Sequence, residues 1–370
     1  QLTGITWISA LVQWSLGSTD DSGFVVIWSF LVPIGALLFT NKRQSIFWMG
    51  QFLLIIFVTV IVEPKLSSDS TQVTDVFRDT FYLMNIFTTC LIVFGTSLYF
   101  VRDILKNKNL NFTLLKSSEA KNKELLDSIK YAKRIQNAIM PSEKQLRQLI
   151  PDGFIFYQPK DIVAGDFYWL NKKDNNLYIA SCDCTGHGVP GALVSVVCNA
   201  ALNRSLKEFS LTNPSEILDK TRELVLEEFE KSEDEVSDGM DIALIRLNGN
   251  NLSFSGANNP LWIVRNNTNL LEEIKGCKQS IGLTNDPTPF VTHELNLNTG
   301  DCIYIFTDGY SDQFGGPKGK KFKTKAFKYL LLSIQKNSMD EQKIIIEETF
   351  ENWRGDLDQL DDVSVIGVKI

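Results

Sequence analysis

Acidic residues stand at four places where a hydrophobic run meets a turn. Asp166 opens a run after "VAG". Asp183 ends one, ahead of "CTGHG". Asp308 ends another in "YIFTDGYSD". Asp361 and Asp362 open the last, in "LDDVSVIGV". Such junctions deliver side chains to the rim of a sheet, where sites are often built. Carboxylate oxygens suit hard divalent cations such as magnesium and manganese. Carboxylates gathered without a cation repel one another and raise each other's pKa. If these acids converge, a metal cluster relieves that cost. Taken singly, each reads first as a turn or cap residue.

The elements that must position them lie in the second part of the chain. From Gly153 onward, short alternating runs read as strands at 153–160, 166–171, 177–184, 240–247, 252–256, 261–265, 290–297, 301–307 and 363–370. Helical patterns fall in pairs, at 190–209 with 214–231 and at 323–337 with 340–354. Consecutive strands with paired helices predict antiparallel sheets covered by helices, and regular β-α alternation is missing. Cys182 and Cys184 lie two apart in a strand, so both are expected to point to one face, as small core residues. The six cysteines include no C-x-x-C pair of zinc-like spacing.

The first part of the chain reads differently. Runs 24–40, 45–62 and 81–101 carry no charge and approach or reach the length of a span. Residues 1–17 form a weaker fourth candidate, because Thr, Ser and Gln interrupt it, and it is expected to be a span or the truncated end of one. Lys42 and Arg43 lie on the same side as Arg102, Lys106 and Lys108. The positive-inside rule makes that side, and everything after Arg102, cytoplasmic. No charge lies within a span, so no ion path is expected. Residues 103–140 read as one long linker helix that ends at Pro141, with a weak stretch at 107–118. Its apolar stripe is Leu125, Ile129, Ala132 and Ile139, broadened by Leu126, Ile135 and Ala138. The stripe predicts a dimeric coiled coil, which Asn122 and Gln136 at seam positions would weaken. The net charge of −7 argues against a nucleic-acid partner.

Four motifs, "IVAGDFYWL", "CDCTGHGVPGA", "FTDGYSDQFGG" and "LDDVSVIGV", occur in this order. Together they resemble the signatures of PPM-type metal-dependent serine/threonine phosphatases, in the SpoIIE/RsbU-like branch, over roughly 151–370. The linker text "SIKYAKRIQNAIMPS" looks like the helix that precedes this domain in such membrane proteins. The resemblance implies an α+β fold. After the transmembrane helices (1–101) and the linker (102–150), an α-β-β-α sandwich of two antiparallel sheets occupies 151–370. It implies two Mn2+ or Mg2+ ions held by Asp166, Asp183, the backbone carbonyl of Cys184, Asp308 and Asp361. Asp312 and Asp362 would serve a third metal or stand behind the ligands. His187 tempts a general-acid role, but Gly186, Gly188 and Pro190 favour a structural turn. Ala164 departs from the branch pattern, where glycine is usual, and Cys184 departs as well. The implied reaction is hydrolysis of phosphoserine or phosphothreonine by a metal-activated water. The implied substrate is a cytoplasmic regulator of the STAS type. The alternative is a catalytically weak phosphatase-like sensor. A histidine kinase fits poorly, because neither His187 nor His293 lies on the linker. A cyclic-dinucleotide cyclase fits poorly too, because the text is "AGDFY" and not "GGDEF".

Overall fold

The computed structural model describes residues 2–16, 19, 22, 24–39, 42–66, 74–230, 238–266, 268 and 270–370. The chain divides into two compact units, Gln1–Lys121 and Asn122–Ile370.

The first unit is helical: α1 (Leu2–Leu16), a 3-10 turn (Val25–Phe30), α2 (Leu31–Phe39), α3 (Lys42–Leu66) and the start of α4 (Asp75–Ile139). Among the described residues, two helices are long and apolar enough to cross a membrane, one over Arg43–Val62 and one that begins at Asp75. They contain the expected runs 45–62 and 81–101. The run 24–40 is not one helix. Its 3-10 turn gives way at Leu31 to a short helix, whose first turn accommodates Pro33. Residue 40 lies outside the described residues. The polar residues that weakened 1–17 as a span turn inward: Ser9 bonds Ser29, and Gln13 Oε1 accepts the Val26 N–H at 2.9 Å. Helix α4 passes through 107–118 without a break.

The second unit is the expected sandwich. Sheet one has the order β1 (Gly153–Gln158), β12 (Val363–Lys369), β9 (Cys302–Phe306), β6 (Leu261–Arg265), β7 (Leu270–Ile274). Sheet two has the order β2 (Phe167–Lys173), β3 (Asn176–Cys184), β4 (Met240–Asn248), β5 (Asn251–Ala257), β8 (His293–Asn296). All their ladders are antiparallel. A two-strand ribbon, β10 (Phe314–Gly315) with β11 (Lys320–Lys321), stands apart. Strand β7 and the ribbon escaped the sequence reading. The β7 text "LLEEI" does not alternate, and the ribbon strands are two residues each. The run 290–297 shrinks to β8.

Period-two alternation decides which residues meet. Ile179, Ala243 and Ile245 of sheet two pack on Ile303, Ile305 and Ile366 of sheet one, between the sheets. Ala180, Cys182 and Cys184 face outward, against α6 (Gly188–Lys207) and α7 (Pro214–Phe229). Tyr304, Phe306, Val363 and Val365 face the other way, against α9 (Thr324–Ile334) and α10 (Met339–Arg354). Asp183 shares the phase of Ile179 and Ser181, so β3 aims it between the sheets at their rim.

Helix α6 begins at Gly188 with His187 as its N-cap, so Pro190 lies at the third helical position, not the first. Gly186 takes φ 81° at the turn before it. Helix α6 then approaches that turn so closely that a Cβ on Gly191 would stand 2.2 Å from the Gly186 carbonyl oxygen. Gly191→Ala is therefore expected to destabilise the unit by about 2–3 kcal/mol. A lowered urea midpoint with an unchanged slope would record this.

Candidate metal centre

One cavity of about 310 Å³ is lined by Asp183, Asp241, Asp308 and Asp361, with Cys184, Gly186 and Leu283 among its other walls. Both sheets contribute. Asp183 ends β3, and Asp241 lies directly opposite it on β4. Asp308 follows β9 and begins the short helix α8 (Gly309–Asp312). Asp361 precedes β12. The strands of sheet one are tied at this rim by the Thr307 N–H to the Ser364 carbonyl, and by the Ser364 N–H to Thr307 Oγ1, each 3.0 Å.

Asp166 stands just before β2 and is buried. Its Oδ2 has no hydrogen-bond partner. Burial first, then the charge of Asp183, pushes its carboxyl well above the usual carboxylate range, and a hydrogen bond with Thr307 offsets part of this. Asp183 is pushed well up by burial and then by Asp308, Asp361 and Asp241. Asp308 is pushed up to about 6, by burial and then by Asp312, Asp361 and Asp241, although its residue surface reaches solvent. Among the described residues, no ion pair reaches Asp166, Asp183, Asp241, Asp308 or Asp361.

The residues fit a hard divalent cation. The donors are carboxylate oxygens, one is buried without a partner, and of the described cationic side chains only Lys321, which pairs with Asp312, offsets part of the repulsion, at Asp308. Among the described residues, no group of three or more His, Cys, Asp and Glu side chains is already set to hold an ion. Asp183, Asp241, Asp308 and Asp361 line one cavity, whereas buried Asp166 is not among its walls.

The other predicted residues sit outside the cavity lining. Asp362, in phase with Ser364 and Ile366, binds the loop ahead of β2: its Oδ1 accepts the Lys160 N–H and its Oδ2 the Gly165 N–H, each 2.7 Å. Tyr157 Oη donates to the Asp166 carbonyl at 2.9 Å. Asp312 pairs with Lys321 at 2.7 Å. His187 points to the surface, where Nδ1 lies 2.8 Å from Asp161 Oδ2 and Nε2 lies 3.0 Å from Lys160 Nζ. An ammonium only donates, so Nε2 accepts and Nδ1–H donates to Asp161.

Two residues escaped the sequence reading. Asp241 carries the same signature as the others, an acid beside a glycine-led strand start in "DGMDIALIRL". It was hidden inside an apolar run. Its Oδ1 accepts from Asn258 Nδ2 at 2.9 Å and from Ser280 Oγ, which ties the rim loop to β4. Gln136, expected to disturb a helix seam, is buried. Its Nε2 donates to the Ala164 carbonyl at 2.6 Å and its Oε1 accepts the Ala164 N–H at 3.2 Å. It thereby clamps both backbone groups two residues before Asp166. Gln136→Ala is expected to cost about 1–3 kcal/mol, because both groups lose a buried partner. Chemical denaturation checks the size. A smaller thermal shift on adding Mn2+ would show that the Asp166 loop has loosened.

The model of the family described as Stage II sporulation protein E (SpoIIE) matches residues 173–370. The chain belongs to the SpoIIE family. The phosphoserine phosphatase RsbU of Bacillus subtilis (strain 168) is 26% identical over 196 residues, 51% of this chain and 55% of that protein. The chain thus spans about half the length of the curated relative it matches. The solved SiaA-PP2C domain of Pseudomonas aeruginosa is 29% identical with a TM-score of 0.61, over 68% of this chain and 99% of that one. The SpoIIE match begins inside β2 and takes in Asp183, Asp241, Asp308 and Asp361. Asp166 and the clamp from Gln136 lie upstream of it.

Proposed function

We propose that the chain is a membrane-anchored, metal-dependent protein phosphatase that hydrolyses phosphoserine or phosphothreonine on a cytoplasmic regulator. The observation that carries this is the single cavity shared by Asp183, Asp308 and Asp361, beside the partnerless buried oxygen of Asp166. Asp166, Asp183, the Cys184 carbonyl, Asp308 and Asp361 would hold two divalent ions, Mn2+ or Mg2+, and Asp241 adds a further carboxylate from β4. Bound there, such ions supply an activated water and offset charge on the phosphoryl oxygens. The chain itself holds the ligands in place. Asp362 and Tyr157 fix the Asp166 loop, and the β3–β4 ladder sets Asp183 against Asp241. Asp241 holds Ser280, which lines the cavity together with exposed Leu283. His187 is a turn residue in this reading.

The likeness to RsbU favours phosphoserine, and the family resemblance favours a STAS-type regulator. Helices α3 and α4 would anchor the chain, with Lys42, Arg43 and Arg102 on the cytoplasmic side. The exposed Leu125, Leu126 and Ile135 on α4 support a homodimer through the linker. Leu125→Glu with Ile135→Glu is expected to halve the protein mass that light scattering reads in detergent.

The test of function uses the full chain in detergent. Manganese should stimulate phosphate release from p-nitrophenyl phosphate and from a phosphoprotein captured by the Asp183→Asn variant. Release that ignores both manganese and chelator would sink the reading.

A further inference from the structure

The edge strand β1 carries a second feature, independent of the metal cavity. Among the described residues its only strand neighbour is β12. The register pairs Phe154 with Gly367 and Phe156 with Val365. The Lys369 N–H donates to the Asp152 carbonyl at 2.8 Å, which sets the phase. Phe154 and Phe156 therefore exchange bonds with β12, while Gly153, Ile155 and Tyr157 turn both backbone groups away from it. Among the described residues, no hydrogen bond is made to these outward groups, although Gly153 and Ile155 are buried. Withheld backbone groups of this kind call for a partner.

The outward edge forms the floor of a slot of about 350 Å³. One wall is α5 (Glu143–Leu149), with Glu143 and Arg147; the other is α10, with Lys343 and Glu347. The exposed pair Arg147–Asp340, 2.8 Å, bridges the two helices, and Gln158 bonds Glu351 at 2.7 Å at the far end of β1. The strand text "GFIFYQ" has none of the lysines or prolines that usually blunt an open edge.

We propose that this slot takes one extended segment of a partner protein, which adds to β1 as a further strand. A second copy of this chain does not fit. Paired strands stand about 4.8 Å apart, whereas packed helices need about 8–10 Å. Helix α10 lies over β1 itself, with Phe350 5.9 Å from Phe156, so edge-to-edge pairing would drive one α10 into another. A lone strand carries no such helix. Backbone pairing to Gly153, Ile155 and Tyr157 would supply the affinity, and the walls would supply the selection. Lys343 is half-buried and makes no ion pair among the described residues, so the segment carries an acidic side chain against it. Proline is excluded at the pairing positions.

The experiment pans the full chain in detergent against displayed random ten-residue peptides, then measures the enriched peptides as synthetic probes. N-methylation at residues that pair with β1 should weaken binding about tenfold or more. N-methylation one residue out of phase should change it by less than about twofold. Lys343→Glu should weaken binding at least about threefold and leave phosphatase activity unchanged. Adding EDTA should leave binding intact, which separates this slot from the metal cavity. Failure to enrich any peptide sensitive to Lys343→Glu overturns the proposal. So does equal tolerance of N-methylation in both phases.

Discussion

Asp183→Asn is expected to lower phosphoester turnover by about two to three orders of magnitude, the scale seen when one preorganised electrostatic contact is removed from a site. The amide keeps the shape of the side chain and its place at the end of β3. It removes one negative charge from a cavity where Asp308, Asp361 and Asp241 all act on that carboxyl. It also removes the neighbour that presses hardest, after burial, on Asp166. An amide oxygen is a weaker ligand than a carboxylate for a hard cation. The loss should therefore appear as a fall in manganese-dependent rate at saturating substrate, while far-UV circular dichroism is unchanged. Near-normal manganese-dependent activity in this variant would refute the assignment of Asp183 as a ligand.

The second large effect is on stability. A cation that binds only the folded state stabilises it by about 2.7 kcal/mol at a hundred times its dissociation constant. For a unit of roughly 250 residues that corresponds to a rise of about 5–10 °C in Tm. Mn2+ should raise the melting temperature of the full chain by this amount, and EDTA should reverse it. The sign for Asp308→Asn is opposite in the two conditions. Without a cation, the amide relieves repulsion on a carboxyl already pushed up to about 6 by burial and by Asp312, Asp361 and Asp241. The variant should then melt above the wild type. With Mn2+, it should melt below the wild type, because a ligand is missing. Differential scanning fluorimetry in both buffers reads the crossing. Parallel curves for the two proteins, with the same response to Mn2+, would remove Asp308 from the ligand set.

Much of this was legible in the text of the chain. Alternation placed most strands, the paired helical patterns placed their covers, and strand-to-turn junctions marked Asp166, Asp183, Asp308 and Asp361. Each of these signals is local: a period of two or of about 3.6, or a glycine beside an acid. The same locality misled at 24–40, where composition read as one span and the chain forms a 3-10 turn followed by a short helix. At 361–362 two acids stand side by side in the text, and only the folded chain shows Asp362 taken up by the Lys160 and Gly165 amides while Asp361 lines the cavity.

What tertiary structure alone decided is the company each residue keeps. Asp241 became a wall of the cavity because the β3–β4 register sets it opposite Asp183. Gln136 became a clamp because the helix end lies beside Ala164, 28 residues away in sequence. The open edge of β1 follows from strand order, which reverses none of the local patterns and so leaves no mark on them. Side-chain type and spacing set which chemistry is available. Packing of distant segments sets which of those groups share a low-dielectric pocket, and charge interactions over a few ångströms depend on that alone.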